Sequence, residues 1–124
     1  MIASKSLVSV VDDDQSVREA LPDMLRQFGF AVQVFSSAEG FLASGYIGQT
    51  RCLLLDVAMP GMSGPDLQEE LRRRRQPIPI VFITADTDAT LRPRLMEDGA
   101  VECLFKPFSH TALREAVRAA LGQN

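Results

Sequence analysis

Five short apolar runs recur along the chain, at Leu7 to Val11, Phe30 to Phe35, Cys52 to Leu55, Ile80 to Ile83 and Val101 to Phe105. Most are rich in Val, Ile, Leu and Phe, and three are nearly continuous, the pattern of strands covered on both faces. Between them, apolar residues fall at helical spacing over Ser16 to Phe28, Ala38 to Ser44, Pro65 to Arg75, Thr90 to Asp98 and His110 to Leu121. The borders carry helix-end chemistry. Ser16 with Glu19 reads as a capping box, Gly29 closes the first helix, Ser63 with Asp66 opens the third around Pro65, and Gly99 closes the fourth.

Strand and helix patterns alternate from one end to the other, which predicts α/β architecture built of five right-handed βα units. The common solution for five units is a doubly wound, flavodoxin-like (βα)5 fold with a parallel sheet of order 2-1-3-4-5. Strands one and three then flank the switch point, where ligands bind outside the carboxyl ends of the strands. Periodicity does not dictate this order. It is adopted as the common arrangement, and because it gathers the polar residues that end the strands.

Composition narrows the field. A chain of 124 residues, 46% hydrophobic, suits one domain spanning residues 1–124. With 13 basic and 16 acidic residues the net charge is −3, which offers no pull toward nucleic acid or an anionic membrane. No run approaches the roughly 18 apolar residues of a membrane span, and the N-terminus lacks a signal-peptide layout, so a cytoplasmic protein is expected. Cys52 and Cys103 sit far apart in apolar runs, the pattern of buried reduced thiols rather than of a metal site or disulfide.

The polar residues fall where apolar runs stop. Strand one ends in Val11-Asp12-Asp13-Asp14, strand three in Leu55-Asp56, strand four in Ile83-Thr84 and strand five in Phe105-Lys106-Pro107. In the assumed sheet these ends converge on one crevice, and carboxylates so close together need a counter-charge. Mg²⁺ is the natural partner, since it takes oxygen ligands and works beside phosphate. An aspartate can attack phosphorus to form an aspartyl phosphate, while a cation and an ammonium such as Lys106 stabilise the equatorial oxygens. Thr84 is placed to donate a hydrogen bond to one of them. Taken singly, each residue has an ordinary role: helix cap, turn former, strand end or solvated lysine. Their joint occurrence at four strand ends favours a site.

The chain resembles the response-regulator receiver domains, and within them the FixJ-like group, over residues 5–122. The resemblance rests on Val11-Asp12-Asp13, on Leu55-Asp56 followed by Met59-Pro60-Gly61-Met62-Ser63-Gly64, on Ile83-Thr84-Ala85 and on Lys106-Pro107-Phe108. It implies that Asp56 is the phosphoacceptor and that Asp12 and Asp13 hold Mg²⁺, with Asp13 as the direct ligand and the carbonyl of Ala58 as a further one. Thr84 is similar to the residue that moves onto the phosphoryl group, Lys106 to the one that pairs with it, and Lys106-Pro107 to a cis bond. Asp14 is better explained as a cap. The implied donor is a sensor histidine kinase, and the implied output surface is helix four, strand five and helix five, through which a homodimer can form. An effector domain, absent from this chain, would control transcription; a free-standing receiver is the other possibility.

Two positions depart from the family pattern. Position 103 is usually an aromatic ring that swings inward, and here it is Cys103; Phe105, on the same side by strand alternation, is expected to replace part of that volume. Pro93 is expected in the middle of helix four, costing about 3 kcal/mol there, so that helix should be kinked, shortened or restarted. Arg72 to Arg75 reads as a solvated helix end and His110 as an exposed residue at a helix start. The strongest rival is a haloacid-dehalogenase-like phosphohydrolase with Asp12 as nucleophile, although only Glu115 follows Lys106 to complete its metal site. A flavodoxin-like module binding a flavin or a partner is the second rival, weakened because no Ser/Thr-rich phosphate loop follows strand one.

Overall fold

The computed structural model describes residues 5–122; residues 1–4 and 123–124, the ends of the expected domain, lie outside the described residues. Five strands, β1 (Leu7–Val11), β2 (Ala31–Phe35), β3 (Thr50–Asp56), β4 (Ile80–Thr84) and β5 (Glu102–Phe105), form one parallel sheet of order β2-β1-β3-β4-β5. Five helices alternate with them: α1 (Gln15–Gln27), α2 (Ala38–Leu42), α3 (Gly64–Arg73), α4 (Leu91–Glu97) and α5 (His110–Ala120). The expected class and strand order are both observed.

Alternation along the central strands separates two cores. Leu53 and Leu55 of β3 join Phe82, Phe41, Leu67 and Leu71 on one face of the sheet. Cys52 and Leu54 join Val81, Ile83, Leu25, Leu113 and Val117 on the other. Because β3 and β4 bury side chains in both directions, they read as continuous apolar runs, while the outer strands β2 and β5 are only partly buried. β3 begins two residues earlier than the apolar run, at Thr50, whose hydroxyl bonds Ser9 Oγ at 2.7 Å and donates to the Tyr46 carbonyl at 2.8 Å. A single 3₁₀ turn at Ile47–Gln49 precedes it, which the hydrophobic pattern did not announce.

The helix ends correct two expectations. Helix α1 is capped by Asp14, whose Oδ1 accepts from the Ser16 N–H at 2.9 Å; Ser16 therefore lies inside the helix and forms no capping box with Glu19. The helix also runs through buried Pro22 without a break. Pro93 falls in the first turn of α4, where its missing N–H is one that no helix carbonyl would have accepted, so the mid-helix penalty does not arise. The helix is short, as expected, and an exposed loop over residues 85–90 leads into it. At its other end, Gln68 Nε2 and Arg72 Nη2 of α3 both donate to the Asp98 carbonyl, at 3.2 and 2.8 Å.

Other expectations hold. Ser63 and Asp66 form the capping box of α3. Arg73 and Arg74 pair with Glu70 at 2.6 and 2.7 Å, and Arg72 pairs with Glu69, which leaves the arginine run as a partly neutralised, solvated helix end. His110 is the exposed first residue of α5. Cys52 and Cys103 are free and buried, and desolvation pushes the Cys52 thiol up to about 12. Phe105 does not replace the missing ring in this conformation: it stands 37% exposed at the end of β5, while Cys103 is packed in the core. The last residues of a strand run past the helices that cover it, so same-side alternation does not guarantee burial.

Candidate functional site

Four strand ends deliver the polar residues to one edge of the sheet. Asp56 and Thr84 close β3 and β4, Asp12 and Asp13 follow β1 directly, and Lys106 follows β5. Carboxylate oxygens of Asp12, Asp13 and Asp56 all lie within 4.8 Å of one another. Lys106 Nζ stands 3.0 Å from Asp12 Oδ2. The apolar ladder pins each backbone to its neighbours while the side chains project past the last covered layer.

Burial grades the three acids. Asp12 is fully buried, Asp56 is 7% exposed, and Asp13 faces solvent. Asp12 Oδ1 accepts from the Asp14 N–H at 2.9 Å, whereas its buried Oδ2 has the Lys106 ammonium as an ionic neighbour but no partner in hydrogen-bond geometry. Desolvation, reinforced by the Asp12 charge and only partly offset by Lys106, raises the Asp56 carboxyl from 3.8 to about 7. A sheet edge with one exposed and two buried carboxylates, one oxygen without a hydrogen bond and a single ammonium, fits a hard divalent cation of the Mg²⁺ type.

Thr84 is buried, and its hydroxyl oxygen accepts from the Asp86 N–H at 2.9 Å. Ala58 lies two residues past Asp56, exposed, in the loop that joins β3 to α3. That loop turns back sharply, since the Gly64 N–H donates to the Val57 carbonyl at 2.9 Å. A Cβ on Gly64 would overlap the Asp56 carbonyl oxygen and press on the Phe82 ring, so only glycine lets α3 start against the end of β3. The Lys106–Pro107 bond is cis.

The structure thus brings Asp12, Asp13, Asp56 and Lys106 into one cluster, with Thr84 on the adjacent strand end. It also adds two residues that sequence reasoning passed over. Arg18, one turn into α1, donates from Nη1 to the Asp12 carbonyl at 2.9 Å. Glu39 of α2 accepts the Met62 N–H at 3.0 Å across 23 positions of sequence. The Arg18 contact had a faint signal, a basic residue four positions after the cap; a bond from α2 to a distant loop had none. Glu115 is exposed on α5 and belongs to no acidic cluster among the described residues.

Comparison with known proteins agrees with this geometry. The model of the response regulator receiver domain matches residues 8–118. Nodulation protein W of Bradyrhizobium diazoefficiens is 45% identical over 118 residues, covering 95% of this chain and 52% of that protein. Transcriptional regulatory protein FixJ of Azorhizobium caulinodans is 40% identical over 117 residues, covering 94% of this chain and 56% of that protein. The crystal structure of FixJ-N aligns with a TM-score of 0.85 at 36% identity and covers 98% of both chains. The chain spans about half the length of the curated relatives it matches. The phosphohydrolase alternative has no support in these matches, and its nucleophile would be the fully buried Asp12. The chain belongs to the response-regulator receiver domains, in their FixJ-like group.

Proposed function

We propose that Asp56 accepts a phosphoryl group from the phosphohistidine of a sensor histidine kinase, and that the phosphorylated domain controls transcription through an effector domain outside this chain. The observation that carries this reading is the meeting of the Asp12, Asp13 and Asp56 carboxylates within 4.8 Å beside Lys106. Asp13, the exposed member of the cluster, serves as the direct magnesium ligand, with Asp12, Asp56 and the Ala58 carbonyl completing the protein's share. When bound, Mg²⁺ supplies the charge that offsets the crowded acids and the phosphoryl oxygens.

The chain's own residues then divide the work. An Asp56 carboxylate oxygen attacks phosphorus in line, the P–N bond of the donor breaks, and the imidazole leaves with its electron pair. Lys106 needs only to exchange its neighbour Asp12 for a phosphoryl oxygen. Thr84 releases the Asp86 N–H and donates its own hydroxyl to another oxygen, carrying the start of the 85–90 loop with it. The added charge, roughly −1.5 to −2, biases a two-state surface made by α4, β5 and α5, the face on which a homodimer would form. The domain is a phosphoacceptor that assists its own phosphorylation and dephosphorylation rather than an enzyme. Among the described residues no helix is long and apolar enough to cross a membrane, in keeping with a cytoplasmic place.

The test is acyl-phosphate labelling with acetyl phosphate and Mg²⁺. Wild type should take label and Asp56→Asn should not; a phosphohydrolase would instead fail with Asp12→Asn and tolerate loss of Asp56. Labelling that survives Asp56→Asn would overturn the assignment.

A further inference from the structure

We propose that Glu39 is a positioning residue for this site: from α2 it holds the loop of residues 57–63 in the shape that presents the Ala58 carbonyl to the metal. The proposal rests on the reading of Asp56 as a magnesium-dependent phosphoacceptor.

Glu39 projects from a fixed base. Its helix is capped by Ser37, whose Oγ accepts from the Gly40 N–H at 3.0 Å, and is anchored by Ala38 and Phe41, both fully buried. The Phe41 ring packs edge-on against Phe35 at 5.3 Å. From there Glu39 Oε2 reaches the Met62 N–H at 3.0 Å. Gly61, at φ 73°, makes room for this contact, because a Cβ on it would stand 2.7 Å from the same oxygen. Two features, a carboxylate and a left-handed glycine, are fitted to each other.

The loop has little else to hold its middle. Its ends are fixed by the Val57 N–H on the Ile83 carbonyl at 3.2 Å and the Gly64 N–H on the Val57 carbonyl at 2.9 Å. Among the described residues, Glu39 is the one side chain that bonds the backbone between Val57 and Ser63, whose own N–H is taken by Asp66 of α3. Ala58 lies inside the span so held. A carbonyl that must ligate Mg²⁺ binds more tightly when its loop is already in place, as partners behind a metal ligand generally ensure.

The experiment compares the full chain with Glu39→Ala and Glu39→Gln, the second keeping an acceptor oxygen for Met62. Amide hydrogen exchange at Met62 is read in metal-free buffer, and Mg²⁺ affinity by calorimetry. Glu39→Ala should speed exchange at Met62 about tenfold and weaken Mg²⁺ binding about threefold to tenfold, less than a buried partner would because Glu39 is exposed. Glu39→Gln should stay within about twofold of wild type in both, since its amide oxygen accepts the same bond. Wild-type magnesium affinity in Glu39→Ala would overturn the proposal, as would Glu39→Gln falling as far as Glu39→Ala, which would make charge rather than the bond responsible. A wild-type protein that binds Mg²⁺ yet takes no label on Asp56 would sink the phosphoacceptor reading while leaving the exchange and affinity results to judge Glu39.

Discussion

Replacing Asp56 with asparagine should make the metal-free domain more stable, by an amount that grows from about pH 4 to about pH 7 and is constant above it. In the unfolded chain the Asp56 carboxyl ionises near 3.8; in the folded protein burial and the Asp12 charge raise it to about 7. Between those values the folded state keeps a proton that the unfolded state has released, so stability falls as pH rises through the window and stays low above it. A shift of that size converts to at most about 4 kcal/mol, and sharing of the proton affinity between Asp56 and its neighbours brings the expected figure to about 2 kcal/mol. The substituted amide carries no charge and so escapes the loss. Urea unfolding in EDTA should give Asp56→Asn a midpoint about 1 M above wild type at pH 8, with the gap nearly closed at pH 4.5. Added Mg²⁺ should raise wild type more than the variant. A variant no more stable than wild type at pH 8, or equally favoured at both pH values, would refute the reasoning.

Four further substitutions probe the same edge and the core beneath it by urea unfolding. Lys106→Met removes the ammonium beside buried Asp12 and should cost about 3 kcal/mol at pH 8 without metal, with part of the loss restored by Mg²⁺; an unchanged midpoint would mean the pair contributes nothing. Gly64→Ala drives a methyl into the Asp56 carbonyl and should cost about 2–3 kcal/mol, a penalty absent if α3 can slide outward instead. Phe105→Ala should cost under about 1 kcal/mol and Phe82→Ala about 3–5 kcal/mol, since one ring is 37% exposed and the other fully buried; comparable losses would contradict the placement of Phe105.

The strands and the acid cluster were legible because both follow from where apolar runs stop. Val10-Val11-Asp12 and Leu54-Leu55-Asp56 state, in the chain itself, that a buried strand surfaces beside carboxylates. The order of the strands was not legible in that way; it entered through the common solution for five units. What failed was local detail. Ser16 and Glu19 satisfy the capping pattern, but Asp14 competes from two positions earlier and wins because its side chain reaches the Ser16 N–H. Placing Pro93 mid-helix overlooks that a helix starting at Thr90 already has it within the first turn, where a missing N–H costs nothing. Glu39 and Arg18 were missed because each acts on a backbone group, and backbone partners leave no residue type in the sequence to search for.

The two bonds from α3 to the Asp98 carbonyl set the mechanics of α4. They moor the tail of a seven-residue helix, while its head is joined to Thr84 by an exposed loop and to Glu102 of β5 by the Arg92 ion pair. A pull at Thr84 that broke the Arg92–Glu102 pair would swing the end nearest Leu91 most and the end nearest Glu97 least. On the proposed switch, a partner that grips the head of that helix meets the longest travel.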